Sequence, residues 1–206
     1  MLVGTPQQLP NGTFEAPFNW SDALRASSFQ IVSANTTTGF YTVNYDIWPY
    51  SVQILMLILM YLGGMAGSTV GGIKTLRTYI LFKSARLKIE SIFRPESVKT
   101  LTASHQQIIQ NTSIKSLAFF VILIALSVFS TLFLVIDGLD PESALSIVAC
   151  CINNVGFAFR AGGPLHTMGF LSDSSLILMS FLMITGRLEF FVILTIFVPA
   201  FWKKTG

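Results

Sequence analysis

Two segments of this chain read as helices too short to cross a bilayer, each stopping at a polar, glycine-bearing turn among long apolar helices. The first covers about Asp22 to Ala34 and runs into Thr36-Thr37-Thr38-Gly39-Phe40; the second covers about Pro141 to Cys151 and reaches Asn153-Asn154-Val155-Gly156. Twelve helical residues rise about 18 Å, whereas a hydrocarbon core is about 30 Å thick, so each helix ends at mid-membrane. Pro141 suits a first helical turn, and Asp140 before it is placed to cap the free N–H groups. Non-helical backbone survives at that depth only where protein buries it or where it lines a water-filled path.

The membrane setting follows from composition. Of 206 residues, 52% are hydrophobic and 11% charged, about half the charge of a soluble domain. Apolar stretches run from Ile47 to Leu62, weakening to Phe82, from Leu117 to Ile136, and from Leu176 to Trp202. Each can supply the roughly 20 residues a spanning helix needs. Charge is divided between the ends of these spans. Glu15, Asp22 and Asp46 outweigh Arg25, and Asp137, Asp140, Glu142 and Asp173 outweigh Arg160. Between them Lys74, Arg77, Lys83, Arg86, Lys88, Arg94, Lys99 and Lys115 face only Glu90 and Glu96, and the chain closes on Lys203-Lys204. The positive-inside rule puts the basic segments in the cytoplasm. The expected topology has the N-terminus outside, both short helices re-entering from outside, and the C-terminus inside. Residues 1–20 form an extracellular or periplasmic segment, with no secretory signal legible in their polar start.

The two turns align. Placing Gly39 on Gly156 also pairs Phe40 with Phe157, Thr36-Thr37 with Asn153-Asn154, and Ile31 with Val148. An internal repeat of short helix, polar turn and outward-to-inward span follows, and repeats meeting near the midplane are how many transport folds build their sites. Carbonyls aimed inward replace the hydration shell of a cation such as K⁺, and glycine supplies the positive φ that aligns them. The negative ends of both helices add favourable potential, and the acidic mouths concentrate cations. The competing account makes Thr-Thr-Thr-Gly a surface turn and Asn-Asn-Val-Gly an ordinary helix cap.

Two further features sit in the spans. The run Gly63-Gly64-Met65-Ala66-Gly67-Ser68-Thr69-Val70-Gly71-Gly72-Ile73-Lys74 cannot stay helical unsupported, because each glycine costs roughly 1 kcal/mol against alanine. A break is expected there. It is either a movable intramembrane loop below the filter, with Ser68, Thr69 and Lys74 offering polar contacts, or a close helix contact through small residues. Arg187 and Glu189 lie in the last apolar stretch, where a charge costs at least about 3 kcal/mol unless paired or wetted. Arg187 either faces the conduit as a barrier to cations or joins helices. Residues two apart do not face each other on a helix, so Glu189 is not its simple local partner.

The remaining polar features point to no reaction. Cys150 and Cys151 are adjacent and read as small packing residues. His105 and His166 lack ligand spacing, and Asn11-Gly12-Thr13 is a glycosylation pattern common by chance. No nucleophile triad, paired catalytic carboxylates or phosphate loop appears, so the chain reads as a non-enzyme with no cofactor; K⁺ as its transported ion is implied only by the resemblance that follows.

At these residues the chain resembles the C-terminal part of the Trk/Ktr/HKT superfamily of potassium transporters, nearest to the bacterial Trk membrane subunit. The carriers are Thr36-Thr37-Thr38-Gly39-Phe40, the block from Gly63 to Lys74, Cys151-Ile152-Asn153-Asn154-Val155-Gly156, Gly186-Arg187-Leu188-Glu189, and Pro199-Ala200-Phe201-Trp202. The resemblance implies an all-α integral membrane fold of repeated helix, re-entrant pore helix, filter loop and helix units, here part of a four-repeat cation-channel-like ring. It implies a partial third unit at 21–85, a basic cytoplasmic loop at 86–111 and a fourth unit at 112–206. The filter then comprises Thr36, Thr37, Thr38 and Gly39 with Asn153, Asn154, Val155 and Gly156, and K⁺ is held by carbonyls at Thr37, Thr38, Asn154 and Val155. Gly63, Gly64, Gly67, Ser68, Thr69, Gly71, Gly72 and Lys74 form the gate, and Arg187 the pore barrier. The implied partners are the missing pore units or another copy, a second subunit in a homodimer, membrane lipid, and a cytoplasmic nucleotide-binding regulatory subunit that the segment from Lys83 to Lys99 helps to dock. The implied location is the bacterial inner membrane. Two departures stand out. Two quadrants cannot coordinate an ion alone, which leaves a non-conducting fragment or a split subunit as alternatives. After Gly156 the chain reads Phe-Ala-Phe-Arg in place of a Gly/Pro-rich turn, and Arg160 would oppose cations if it faced inward.

Overall fold

The repeat expected from the sequence organises the molecule. The computed structural model describes residues 2–9, 13–15, 17–64, 71–93, 102–103, 106–107 and 110–188. A short antiparallel pair, β1 (Gln7–Gln8) and β2 (Phe14–Glu15), precedes α1 (Trp20–Asn35), α2 (Tyr50–Tyr61) and α3 (Thr75–Phe93). A second pair, β3 (Thr102–Ala103) and β4 (Gln106–Gln107), leads to α4 (Gln110–Ile136), α5 (Pro141–Asn153) and α6 (Asp173–Leu188). The short helices α1 and α5 have 16 and 13 residues, so they reach about 24 and 20 Å.

Helix α5 starts where local chemistry says it should. The Asp140 carboxylate accepts the Ser143 N–H at 2.9 Å, Pro141 occupies the first turn, and Glu142 lies at the positive end of the helix dipole. Packed between α4 and α6, it is buried throughout from Ser146 to Asn153. Helix α1 packs mainly on α2 and leaves Trp20, Leu24 and Val32 exposed. Nothing described stands before α1 as α4 stands before α5.

The expected break in the first apolar stretch is present between Tyr61 and Thr75. Helix α3 then runs past residue 85 to Phe93, its Lys, Arg, Leu and Ile residues being compatible with a helix. Ser113–Ile136 is the one described helix long and apolar enough to span a bilayer, with mean hydropathy 2.9 and only 28% of its most apolar window buried. A soluble core helix would hide that surface; α4 presents it outward, as lipid requires. The continuation of α6 through Glu189 and Pro199-Ala200-Phe201-Trp202 to Lys203-Lys204 lies outside the described residues, as do Arg94, Glu96, Lys99 and His105.

Two cores hold the body together. Ile73, Phe119, Leu123, Leu134, Ile147, Ile152, Met179 and Leu182 pack around α5. Phe18, Ala34, Tyr45, Trp48, Met56, Met60, Val155, Phe157 and Phe159 join the two repeats. Cys150 and Cys151 are buried free thiols, as packing residues should be.

The outer end of α4 is tied to the start of α6 by Asp137, which accepts hydrogen bonds from Ser172 Oγ at 2.5 Å and Ser175 Oγ at 2.6 Å. These bonds hold its carboxyl below the usual value of 3.8. The contribution of a depressed carboxylate is complete above the unfolded pKa and is lost as pH falls through the folded one. The protection factor of the amides in the first turn of α6, their exchange rate normalised to the intrinsic rate at each pH, is therefore expected to be flat above about pH 4 and to fall in more acid solution. Asp137→Asn should remove that acid dependence; an unchanged acid profile in the variant would show that the carboxylate does not control this end.

Candidate functional site

The two polar turns have the same backbone, residue for residue. After α1, Thr37 N–H donates to Ala34 O at 3.3 Å and Thr38 N–H to Ser33 O at 3.0 Å. After α5, Asn154 N–H donates to Cys151 O at 3.3 Å and Val155 N–H to Cys150 O at 3.0 Å. The residues at φ 51° and 54° are Thr37 and Asn154, followed by Gly39 at 79° and Gly156 at 98°. This is one helix-stopping motif used twice, with the left-handed residue just beyond the cap Thr36 in α1 and at the cap Asn154 itself in α5. Its hydrogen bonds pair the same positions that the alignment of Gly39 with Gly156 pairs.

The structure brings these turns together. A Cβ built on Gly39 would lie 2.8 Å from the Val155 carbonyl oxygen and 3.0 Å from Gly156 Cα, and one built on Gly156 would lie 3.0 Å from Gly39 Cα. The C-terminal ends of α1 and α5 converge on one spot, each bringing a partial negative charge. Side chains here are largely turned onto the protein. Thr36 Oγ1 donates to Val32 O at 2.7 Å and sits 2.7 Å from Thr38 Oγ1, Ser33 Oγ donates to Phe40 O at 2.7 Å, and Asn154 Nδ2 donates to Met183 O at 3.1 Å. Among the described residues, no donor meets the carbonyl oxygens of Thr37, Thr38, Asn154 or Val155. Peptide oxygens left unpaired at membrane depth need water or a cation.

The glycine run meets the second turn. Gly63 N–H donates to Ile73 O at 2.7 Å, Ile73 N–H to Tyr61 O at 3.2 Å, and Thr75 Oγ1 to Gly63 O at 2.9 Å, clasping the two ends of the break. Gly64 O accepts from Thr75 N–H at 3.0 Å. Gly71 lies against the Asn153 carbonyl, and a Cβ on Gly72, at φ 75°, would come 2.7 Å from Asn153 Oδ1. Asn153 is fully buried, with Nδ2 donating to Ala149 O at 2.9 Å and Oδ1 meeting no donor among the described residues. The returning arm of the break thus rests on the base of the second turn, with Lys74 half-buried where α3 begins. Gly67, Ser68 and Thr69 lie outside the described residues. Arg187 is exposed in the last turn of α6, next to Gly186, which packs on the Ile152 carbonyl and the Asn154 amide.

The Phe-Ala-Phe-Arg segment has a structural role that the sequence did not disclose. Phe157 and Phe159 close around Tyr45 of the other repeat, with ring centroids 5.0 and 5.5 Å away, and Tyr45 Oη donates to Ala158 O at 2.8 Å. Arg160 does not stand as a bare charge at the mouth. Its Nε donates to Glu142 Oε2 at 2.9 Å, its Nη1 to Asp46 O at 3.2 Å, and its guanidinium lies 4.9 Å from the Tyr50 ring centre. The Glu142 hydrogen bond, aided by the Asp46 charge, holds the guanidinium pKa above its usual value.

These features match a known family along most of the chain. The family model TrkH, described as a cation transport protein, matches residues 15–204. The chain belongs to this family. It is 31% identical over 196 residues to the Trk system potassium uptake protein TrkH of Vibrio parahaemolyticus, covering 95% of this chain and 39% of that relative. It is 33% identical over 178 residues to the Trk system potassium uptake protein TrkG of Escherichia coli, covering 86% of this chain and 36% of that relative. The crystal structure of the potassium transporter TrkH from Vibrio parahaemolyticus superposes with a TM-score of 0.80 at 32% identity, covering 89% of this chain and 39% of that one. The chain thus spans well under half the length of these relatives and shares the helical, repeated membrane fold of TrkH. From sequence alone Asp46 reads only as part of an acidic mouth and Tyr45 carries no signal of its own; what could have singled out Asp46 is the charge of opposite sign that follows each turn, Asp46 after Gly39 and Arg160 after Gly156.

Proposed function

We propose that this chain carries K⁺ across the bacterial inner membrane as the partial third unit (21–85) and the fourth unit (112–206) of a Trk-type uptake protein. The observation that carries the reading is the pair of equivalent turns whose peptide oxygens at Thr37, Thr38, Asn154 and Val155 have no donor among the described residues. Such oxygens replace the hydration shell of a cation. The relatives named as potassium uptake proteins supply the ion. The run from Gly63 to Lys74 serves as the gate, because its clasped arm touches the filter base at Asn153. Arg187 is the electrostatic barrier. Acidic mouths face outward, and the basic segment 86–111 and the C-terminus face the cytoplasm, where a nucleotide-binding regulatory subunit docks. The intact form is a homodimer in lipid.

Two quadrants cannot enclose an ion, so conduction occurs only in an assembly that supplies the rest of the ring. That condition distinguishes this reading from a non-conducting fragment. Reconstituted into vesicles as the intact assembly, the protein should take up K⁺ in preference to Na⁺, and Arg187→Ala should raise K⁺ flux per assembled molecule about fivefold, the equivalent of roughly 1 kcal/mol of relieved repulsion in a wet pore. Cation leakage no greater than that of empty vesicles would refute the transport reading. Unchanged flux with poorer assembly in Arg187→Ala would make the arginine a helix-joining residue instead.

A further inference from the structure

We propose that Arg160 is a positioning residue for the filter: it clamps the segment leaving one turn to the segment leaving the other, and this clamp sets the discrimination between K⁺ and Na⁺. The inference deepens the transport reading and rests on it. Arg160 holds Asp46 of the other repeat in two ways. Its backbone N–H donates to Asp46 Oδ1 at 2.8 Å, and its Nη1 reaches the Asp46 carbonyl at 3.2 Å and the carboxylate at 3.7 Å. The same guanidinium binds Glu142 in the first turn of α5 and lies against Tyr50 in the first turn of α2. One side chain therefore touches both repeats and both short-helix units.

The backbone shows that this arrangement is held rather than incidental. Arg160 sits at φ 57°, a left-handed conformation that a non-glycine residue adopts only when its surroundings over-determine it. Its partner is equally fixed. Asp46 N–H donates to Asn44 Oδ1 at 3.0 Å, Asn44 Nδ2 donates to Gln8 Oε1 at 2.7 Å, and Gln53 Nε2 donates to Asp46 O at 2.7 Å. The clamp thus runs from β1 through the outgoing segment of the first turn to α2.

Position explains the consequence. Gly156 and Arg160 are separated only by Phe157, Ala158 and Phe159, all buried, the two phenylalanines against Tyr45 of the other repeat and the Ala158 carbonyl accepting from Tyr45 Oη. The two glycines already touch backbone to backbone. A shift of the Arg160 segment passes directly into the spacing of the carbonyls, and a carbonyl cage distinguishes ions by that spacing and by its stiffness. Simple mouth electrostatics predicts something different. The guanidinium is matched by Asp46 and Glu142, so deleting it would leave two carboxylates that gather cations without changing the preference among them.

The test is the K⁺/Na⁺ uptake ratio of the intact, reconstituted assembly, normalised to inserted protein. Arg160→Gln and Asp46→Asn should each lower the ratio about fivefold, with the double variant no worse than either single, the signature of coupled residues. Arg160→Lys keeps the charge but not the planar fork, and should restore only part of the ratio. If Arg160→Gln does not reach the membrane, Asp46→Asn decides with the same readout. A ratio unchanged in Arg160→Gln and Asp46→Asn, with a lower KM for K⁺ in Arg160→Gln, would overturn the clamp in favour of a mouth charge; so would losses that simply add. Failure of the unaltered protein to prefer K⁺ would instead strike the transport reading itself.

Discussion

Alanine at Gly39 is expected to abolish selective K⁺ uptake by the assembled transporter. The position carries two independent penalties. At φ 79° an L-residue is strained, at a cost of about 1 kcal/mol or more. The added methyl would also lie 2.8 Å from the Val155 carbonyl oxygen and 3.0 Å from Gly156 Cα. Both obstacles are backbone, so relief must come from movement of the main chain at Gly39, Val155 or Gly156. Gly156→Ala at φ 98° meets Gly39 Cα at 3.0 Å and should fail in the same way. Gly138→Ala separates the two penalties: φ is 100° but nothing lies within 4 Å of the new Cβ, so it should lose some stability and keep its transport. Growth on limiting K⁺ of a strain dependent on this protein measures all three. Normal growth of the Gly39 and Gly156 variants would mean that neither turn forms the ion path.

The second large effect is expected at Gly186, where the consequence is structural. The α5 and α6 helices pack tightly there, the Gly186 Cα facing the Ile152 carbonyl and the Asn154 side chain. An alanine methyl would overlap that carbonyl, and neither helix can yield without moving a core that includes Ile152, Met179 and Leu182. Overpacking of this kind costs about 1–3 kcal/mol and sometimes more. Gly186→Ala should therefore lower the thermal unfolding midpoint in detergent by several degrees, and Gly186→Val should prevent assembly. Gly169→Ala, where the nearest atom is 3.7 Å away, should leave the midpoint nearly unchanged. An unaltered midpoint for Gly186→Ala would show that the two helices separate more easily than their packing indicates. Because Asn154 is held to α6 through Met183 O, any variant that does assemble should also transport poorly.

Much of the candidate site was legible because it is local. A helix stops where backbone caps and glycines stop it, so α1 and α5 end close to where Thr36-Thr37-Thr38-Gly39 and Asn153-Asn154-Val155-Gly156 said they would. The Asp140 cap and the break at Gly63 to Lys74 obey the same local rules. The paired hydrogen bonds of the two turns follow from the repeat, since equivalent short-range chemistry folds equivalently. The charge partition and the apolar run of α4 placed the chain in a membrane for a similarly simple reason: burial of apolar surface depends on composition along one helix.

Contacts between distant segments were another matter. Arg160 looked like a charge opposing cations, and only the meeting of two repeats shows it engaged by Asp46 and Glu142. The Phe-Ala-Phe segment looked like a departure from a flexible turn, and Tyr45 of the other repeat gives it a packing role. The seat of Gly71 and Gly72 on Asn153 joins elements far apart along the chain. Local order, capping and hydropathy are written into neighbouring residues; which side chain neutralises which, and which glycine must admit which carbonyl, arise only when helices pack at van der Waals distance and every close approach is decided by all the others.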